Sequence, residues 1–327
     1  MNCLGCFKLT KERYCKKCKK ILFDNKKVSF VLNFDKKEFL SKSVEFSTHL
    51  SISGVQDKIS LKIEEGKFVP TVKNGRYILK PIPLMEYGKL IEDVAKNEHF
   101  TMQLASQVFA LETADNCLIA FSDGELAYLT KRFDRFDDRK IHQEDFCSLA
   151  RQTKDTHGKN YKYDYSYEQI GELIKFYLPT YKLELIKYFK LVLFNYLVGN
   201  GDAHLKNFSV IQRKTKEYGL SPAYDLLSSS MHLPNESRTA LELFEEYESK
   251  SFEANGFYAY DDFMVFADKL GLSRKISERI IKEFINKEGK SLELLEKSFL
   301  STDAKKQYKR LFLDRLRAVS YQFSSKT

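Results

Sequence analysis

The segment GNGDAHLKNFSV, residues 199–210, places an acid, a histidine, a lysine and an amide between an apolar run and a strand-like run. Asp202 and Asn207 have the D-x4-N spacing of a protein-kinase catalytic loop. In such a loop the aspartate accepts the proton of the attacking hydroxyl, and the amide oxygen binds Mg²⁺. Lys206 would be a cation beside the transferred phosphoryl group. His204 lies in the same loop, where histidine is more often a structural hydrogen-bonding residue than a catalyst. The segment therefore indicates phosphoryl-transfer chemistry.

Three other residues occur in the order that this chemistry requires. Lys80 ends a strand-like segment and is suited to bind the α- and β-phosphates of a nucleotide. Glu98, in the middle of the helix that follows, would hold that lysine in place. Asp225, in LSPAYDLLSS, follows a strand and a turn, where a kinase has its metal-binding aspartate. Taken singly, each has an ordinary explanation, such as a solvated strand lysine or a helix N-cap. The ordered set favours a site.

The glycine-rich loop of most kinases is absent, because no G-x-G-x-x-G precedes Lys80. Its place is taken by SISGVQDK, residues 51–58. There Gly54 and several small residues could turn backbone N–H groups toward phosphate. Ser51 and Ser53 would then lie close to the nucleotide. The alternative is an ordinary polar turn.

The elements that must position these residues follow from hydrophobic periodicity. Alternating apolar and polar residues in 57–63, and further short runs bounded by turn residues or proline, predict several antiparallel strands, and a three-and-four spacing predicts one helix between them. The predicted strands are 57–63, 67–72, 76–81, 116–122 and 125–133, and the predicted helix is 94–109. Residues 28–45 give no clear pattern. From residue 142 helices dominate, with a buried helix at 183–198 and an amphipathic one at 307–323.

These patterns indicate an α+β, two-lobed, protein-kinase-like fold with a small β-rich N-lobe and a larger, mostly α-helical C-lobe. The predicted boundaries are 1–45 for a basic, cysteine-rich segment, 46–135 for the nucleotide-binding N-lobe and 136–327 for the C-lobe. The site would lie in the cleft between the lobes.

The net charge of +9 is concentrated at the front of the chain. Residues 1–42 contain 12 Lys and Arg against 4 Asp and Glu. A basic head on a nearly neutral body favours a solvated, lysine-rich surface over a nucleic-acid or membrane patch. No apolar run approaches the roughly 20 residues of a membrane span. No apolar signal-peptide core is present near Met1, so a cytoplasmic protein is expected.

Four of the six cysteines form a C-x2-C-x8-C-x2-C pattern. They are Cys3, Cys6, Cys15 and Cys18. In a reducing compartment, two such pairs indicate a tetrahedral zinc site rather than disulfides. Because four thiolates leave no open coordination position, such a zinc ion would be structural. Unligated surface cysteines are the alternative.

The motifs SISGVQDK, YILKP, NEH, KRFDR, HQED, GNGDAHLKNFSV and LSPAYDLLS, in that order, resemble the HipA family of serine/threonine kinases. They look closest to its short branch, which includes HipT toxins and the translocated kinase CtkA. The resemblance covers about residues 45–230 motif by motif. It implies an ATP- and Mg²⁺-dependent protein kinase.

The resemblance also implies roles for individual residues. Asp202 would be the catalytic aspartate, with Lys206 and His204 in the same loop, and Asn207 and Asp225 would be the Mg²⁺ ligands. The implied nucleotide-binding residues are Lys80, Glu98, Ser51, Ser53, Gly54, Gln56, Lys58, Lys131, Arg132 and Phe133. Of these, 131–133 form the interlobe hinge. Lys131 replaces an acid that is frequent in the family, which argues against a side-chain contact to adenosine. Ser51 and Ser53 match the serines that short-branch members autophosphorylate. Gln143, Glu144 and Asp145 match a block that is structural or lines the cleft.

The resemblance leaves two biological roles open. One is a toxin kinase that phosphorylates an aminoacyl-tRNA synthetase and pairs with a DNA-binding antitoxin. The other is a virulence effector, exported by a non-classical route, that phosphorylates host signalling proteins. Direct nucleic-acid binding is not expected.

Two further function classes are alternatives to the kinase. A metal-dependent phosphohydrolase would use Asp202 and His204 as ligands, but it would need more histidines than the 6 of this chain. A zinc-knuckle scaffold with an inactive kinase lobe would bind partners through residues 1–42 and turn over no phosphate. The ordered constellation favours the kinase.

Overall fold

The structure, a computed structural model, describes residues 1–47, 58–83, 88–136, 139–245 and 248–323. Within these ranges the chain forms a β-rich lobe followed by a mainly helical lobe. None of the helices in the described ranges is long and apolar enough to cross a membrane.

The first five strands form one antiparallel sheet in the order β2-β1-β3-β5-β4. The strands are β1 Ile59–Glu64, β2 Lys67–Pro70, β3 Tyr77–Lys80, β4 Asn116–Ala120, β5 Leu126–Lys131, β6 Arg135–Phe136, β7 Arg139–Lys140, β8 Gln143–Asp145, β9 Ser209–Gln212 and β10 Tyr218–Leu220. All five predicted strands are confirmed, although each is shorter than predicted. Strand β3 is central, and its register pairs Ile59 with Leu79 and Lys80 with Tyr128. Strand β5 therefore pairs with Lys80 directly, and β1 pairs with the residue before it.

The helical elements pack against this sheet and against one another. The helices are α1 Lys16–Phe23, α2 Lys36–Ser47, α3 Val94–Gln107, α4 Phe146–Leu149, α5 Lys154–His157, α6 Tyr167–Tyr177, α7 Tyr181–Val198, α8 Lys250–Asn255, α9 Tyr260–Lys269, α10 Arg274–Ile285, α11 Glu288–Lys297 and α12 Thr302–Ser320. The predicted helices at 94–109, 183–198 and 307–323 are confirmed as α3, α7 and α12. Helix α2 lies partly in the segment 28–45, which shows no clear periodicity.

Residues 1–47 pack onto the small lobe. The rings of Phe23, Phe34 and Phe39 are at most 1% exposed, and they share one apolar core with β1, β3, β4 and β5. Complete burial of a phenylalanine contributes roughly 1.5–3 kcal/mol. Tyr14 donates a hydrogen bond to the Leu118 carbonyl at 2.6 Å. The cysteine-rich segment is thus an integral part of the lobe that carries Lys80.

The larger lobe is organised around α7, whose C-terminal half is buried. Helices α6 and α12 pack against it, and α9 contacts it through Phe266, whose ring centroid lies 6.0 Å from that of Phe189. Strands β8, β9 and β10 form a small antiparallel sheet at the edge of this core. Strand β9 begins two residues after Asn207, so the core of this lobe positions the segment that contains Asp202 and Asn207.

Candidate active site

Lys80 joins both lobes of the molecule. Its Nζ lies 2.7 Å from Oε1 of Glu98 on α3 and 2.5 Å from Oδ1 of Asp225 in the larger lobe. The Lys80 and Glu98 side chains are 7% and 2% exposed, whereas that of Asp225 is 34% exposed. One buried ammonium group therefore holds together a strand, a helix and a loop that are far apart in sequence.

Lys80, Glu98 and Asp225 form a triad, and the charges of its members determine its protonation. Burial favours the neutral form of Lys80, but Asp225 and Glu98 outweigh it and raise the lysine pKa above its usual value. Burial raises the pKa of Glu98 to about 7 against the pull of Lys80. Burial also opposes ionisation of Asp225, but Lys80 and Lys58 lower its pKa below the ordinary value. At neutral pH the triad therefore contains a charged lysine and an ionised Asp225.

The backbone around Asp225 is fixed by contacts between the lobes. The amide of Ala114 donates to the Ala223 carbonyl at 2.9 Å, and the amide of Ala223 donates to the Glu112 carbonyl at 2.8 Å. Asp225 itself has a left-handed φ of 55°. Aspartate tolerates this conformation better than most residues because its short side chain can bond locally. The turn directs its carboxylate to Lys80.

Helix α7 ends directly before the candidate catalytic loop. Gly199 caps the helix with a left-handed φ of 67°. A Cβ atom on Gly201 would lie 2.6 Å from the Ser237 carbonyl oxygen, so only glycine fits there. The Asp202 side chain is 47% exposed and accepts a hydrogen bond from the Tyr163 hydroxyl. The two glycines thus allow a sharp turn that presents Asp202 at the surface.

His204 and Asn207 stabilise the loop. The Oδ1 atom of Asn207 accepts a hydrogen bond from the His204 amide at 3.1 Å, and the Asn207 amide donates to the His204 carbonyl at 2.9 Å. Burial lowers the pKa of His204 to about 4, although Asp202 opposes this. The imidazole packs edge-on against Tyr163, with 5.1 Å between ring centroids. A neutral, packed ring at pH 7 favours the structural role for His204.

Tyr224 connects the loop to Asp225 and to the predicted hinge. Its hydroxyl donates to the Lys206 carbonyl at 2.8 Å, and its ring lies 5.8 Å from that of Phe133. The Lys206 ammonium lies 5.2 Å from the centroid of the Tyr161 ring. Sequence reasoning missed Tyr163 and Tyr224, because tyrosines in irregular segments give no periodic signal.

The other predicted nucleotide-binding residues fall in two groups. Lys58 is mostly buried, and burial lowers its pKa; the charges of Asp225, Lys80 and Glu98 act on it. Lys58 therefore belongs to the same electrostatic cluster. The predicted residues Ser51, Ser53, Gly54 and Gln56 lie outside the described residues.

The side chains of the predicted hinge bind the protein itself. Lys131 Nζ lies 2.8 Å from Asp24 Oδ1 and donates to the Ile21 carbonyl at 2.8 Å. Arg132 forms two hydrogen bonds to Asp134, of 2.8 and 2.7 Å. The Lys131 and Arg132 side chains are therefore engaged by other residues of the chain.

A second contact between the lobes lies one residue before Glu98. Asn97 is completely buried; its Nδ2 donates to the Ser228 carbonyl at 3.0 Å, and its Oδ1 accepts from the Ser228 amide at 3.1 Å. The same Nδ2 lies 2.8 Å from Nε2 of His232, whose Nδ1 lies 2.8 Å from the Lys89 carbonyl oxygen. These bonds require a neutral His232 that donates from Nδ1 and accepts at Nε2. The sequence offered no sign of this link.

We expect acid to weaken this link. Burial lowers the pKa of His232 below its ordinary value, although the Lys89 carbonyl and Asp93 oppose this. A histidine with a lowered pKa stabilises the fold above its unfolded pKa of about 6.5, and that stability is lost as the pH falls toward the folded pKa. Urea unfolding at pH 7.5 and pH 5 should show a larger loss of stability for the wild type than for His232→Gln. An equal loss in both proteins would contradict this role.

The fold is two-lobed, and a lysine, a glutamate and an aspartate meet where its lobes contact each other. This is a protein-kinase-like architecture. The chain belongs to the HipA-like C-terminal domain family, which matches residues 50–291. The predicted resemblance and the predicted fold class are thereby confirmed.

Two similar proteins illustrate this membership. A Haemophilus influenzae protein named "Putative kinase" is 33% identical over 297 residues, which span 85% of this chain and 84% of that protein. HipA of Shewanella oneidensis, a serine/threonine-protein kinase toxin, is 28% identical over 252 residues, or 69% of this chain and 53% of that protein.

The solved structures agree in fold. HipA of Shewanella oneidensis, in a complex with HipB and operator DNA, superposes with a TM-score of 0.63 at 23% identity, covering 88% of this chain and 71% of that one. The Helicobacter pylori proinflammatory kinase CtkA gives 0.55 at 14% identity, covering 82% and 90%. These two structures show the fold, and the family match and the Haemophilus influenzae relative are what group the chain with kinases of the HipA type.

Proposed function

We propose that the protein is an ATP- and Mg²⁺-dependent serine/threonine protein kinase. The observation that carries this proposal is the contact of Lys80 with both Glu98 and Asp225 across the lobes. In protein kinases, the lysine–glutamate pair and the metal-binding aspartate must both be in place for phosphoryl transfer. The nucleotide would bind between residues 46–135 as the N-lobe and 136–327 as the C-lobe.

The residues of the triad and of the catalytic loop would each have a separate role in phosphoryl transfer. Lys80 would bind the phosphates of ATP, and Glu98 would hold Lys80 in place. Asp202, at the exposed end of the loop, would accept the proton of the acceptor hydroxyl, while Tyr163 orients its carboxylate. Lys206 would neutralise charge on the transferred group.

The oxygen donors present fit Mg²⁺. Asp225 offers a carboxylate with a lowered pKa, so it is ionised at neutral pH. Asn207 uses one lone pair of Oδ1 for the His204 amide, and an amide oxygen has a second lone pair for a metal. Mg²⁺ prefers such hard oxygen ligands, and when bound it neutralises the charge that develops on the phosphates.

Two segments would complete the nucleotide site. Residues 51–58, with Ser51, Ser53, Gly54 and Gln56, would cover the phosphates, and Lys58 would add positive charge. Residues 131–133 would bind adenine through backbone groups. Autophosphorylation of Ser51 or Ser53 would add negative charge beside the triphosphate and weaken its binding.

The biological role is proposed from the relatives. HipA of Shewanella oneidensis is a toxin whose structure contains HipB and operator DNA. By similarity, this chain would pair with a DNA-binding antitoxin and act on a protein such as an aminoacyl-tRNA synthetase. The similarity in fold to CtkA, a proinflammatory kinase, supports a second candidate, an effector that acts on host signalling proteins.

Labelled ATP tests the activity directly. Pure protein incubated with γ-labelled ATP and Mg²⁺ should incorporate phosphate, and mass spectrometry should locate it on Ser51 or Ser53. Label should disappear when Mg²⁺ is chelated. A Ser51→Ala, Ser53→Ala double variant should retain transfer to an added protein substrate but lose most self-labelling. Absence of any transfer from the wild type, to itself or to candidate proteins, would reject the proposed activity.

A further inference from the structure

The N-terminal cysteines form a cluster that the phosphoryl-transfer chemistry does not use. We propose that Cys3, Cys6, Cys15 and Cys18 bind one structural Zn²⁺ ion, and that this ion holds helix α3 in position. Zinc binding depends only on the cysteine cluster. An effect of the ion on ATP binding, through α3 and Glu98, rests on the proposed kinase function.

The four sulfur atoms already have the spacing of a metal site. All four Sγ atoms lie within 4.8 Å of one another, and those of Cys6 and Cys15 are 3.7 Å apart. Four Zn–S bonds of about 2.3 Å that point to the corners of a tetrahedron place the sulfurs about 3.8 Å apart. The cluster therefore needs little rearrangement to bind the ion.

Backbone groups around the cluster favour thiolate sulfur. The amides of Gly5 and Cys15 donate to Cys3 Sγ at 3.4 and 3.2 Å. A Cβ atom on Gly5 would lie 2.8 Å from Cys18 Sγ, so the loop approaches the sulfurs more closely than another residue allows. N–H groups that donate to sulfur stabilise its thiolate form, which is the form that binds a metal ion.

Zinc explains the cluster better than disulfides do. All four thiols are free, and two disulfides would pair the sulfurs at about 2.0 Å instead of grouping four at similar separations. With four sulfur ligands, the ion would have no open coordination position and would be structural.

The cysteine loops contact helix α3 directly. The Gly5 carbonyl lies 3.4 Å from Nε2 of His99, and Gln107 Nε2 donates to the Cys6 carbonyl at 3.3 Å. Phe7 packs against the His99 ring at 4.8 Å between centroids. His99 follows Glu98, so the first cysteine pair holds the helix turn that positions the partner of Lys80.

The same loops also contact the sheet and the C-terminal helices. The Leu118 amide on β4 donates to the Leu4 carbonyl at 2.9 Å, and the ring of Phe7 lies 5.8 Å from that of Phe299. The cluster thus lies where three parts of the molecule meet. Loss of the ion would release α3 from one of its supports.

Metal analysis tests the site itself. Protein expressed with added zinc and then dialysed should contain about one zinc per chain, and the Cys15→Ser variant should lose it. Cys147→Ser, which removes a buried thiol of the larger lobe, should retain it. Substitution with Co²⁺ should give the thiolate-to-metal absorption of a tetrahedral sulfur site. Wild-type protein that contains no zinc, and binds no Co²⁺, would overturn the proposal.

Hydrogen exchange tests the link to α3, and it does not depend on the Cys15→Ser variant folding. Removal of zinc from the wild type by a chelator should speed exchange of the α3 amides by about tenfold or more, because local opening becomes easier. Added zinc should restore their protection. Faster exchange confined to residues 1–23 would refute the proposed effect on α3. A zinc-bound protein that does not bind ATP would instead argue against the kinase proposal.

Discussion

Asp202→Asn is expected to lower phosphoryl transfer by roughly 10²–10⁴-fold, the usual contribution of a general base. The amide has nearly the shape of the carboxylate but cannot accept the proton of the acceptor hydroxyl. The Tyr163 hydroxyl, which donates to Oδ1 of Asp202, can donate equally to an amide oxygen. The side chain is 47% exposed, so the substitution leaves no buried group without a partner. Folding and ATP affinity should therefore be unchanged.

The measurement compares the initial rate of label transfer at saturating ATP with the dissociation constant of ATP. Asp164→Asn is the matched control, because it removes an exposed acid two residues before Ser166 on the neighbouring segment. It should behave like the wild type. Transfer by the Asp202→Asn variant within a few-fold of the wild-type rate would remove Asp202 from the proposed role. A loss of ATP affinity of similar size would assign it to binding instead.

The residues that the sequence grouped correctly are those with a local signature. Strand β3 was predictable as a short apolar run that stops at Pro81, and α3 from its three-and-four spacing, so their order placed Lys80 before Glu98. The turn at Gly199 and Gly201 was predictable because glycines permit the conformations that it needs. The contact of Lys80 with Asp225 required more, because it joins residues 145 positions apart. It followed only from the known order of kinase elements.

Contacts that depend on tertiary packing were not predictable. Asn97 lies one residue before Glu98, and nothing in its neighbourhood signals the bonds to Ser228 and His232. Tyr163 is one of several tyrosines in an irregular stretch. Most lysines of the basic N-terminal segment are exposed, as a solvated surface requires, but the burial of its Phe23 and Phe34 against the sheet had no signal in the sequence. In each case the partner is distant in sequence, so periodicity carries no information about it.

For the cysteine cluster, the sequence indicates the ligands and the structure adds their distances and contacts. The C-x2-C pairs indicated four ligands, but sequence could not show that Cys6 and Cys15 approach to 3.7 Å. Nor could it show that the loop carrying them contacts His99. If the ion is present, the first 23 residues stabilise the helix that holds Glu98, and they are not a separate appendage.

Lys80→Met is expected to remove ATP binding and also to destabilise the fold by about 3–5 kcal/mol, the usual result of removing one partner of a buried ion pair. Glu98 is 2% exposed and would lose its only cation within 3 Å among the described residues. Lys62→Met is the matched control. It removes a strand lysine that is 37% exposed and pairs with Glu64, so its effect should stay within about 0.5 kcal/mol.

The pH dependence of this loss identifies Glu98 as its source. The pKa of Glu98 is already raised to about 7 beside Lys80, chiefly by burial, and removal of the ammonium raises it further. An acid with a raised folded pKa stabilises the fold below its unfolded pKa, and that stability is lost as the pH rises through the folded pKa. The Lys80→Met variant should therefore lose more stability at pH 8 than at pH 5, measured by urea unfolding. An identical loss at both pH values would show that the destabilisation does not come from Glu98.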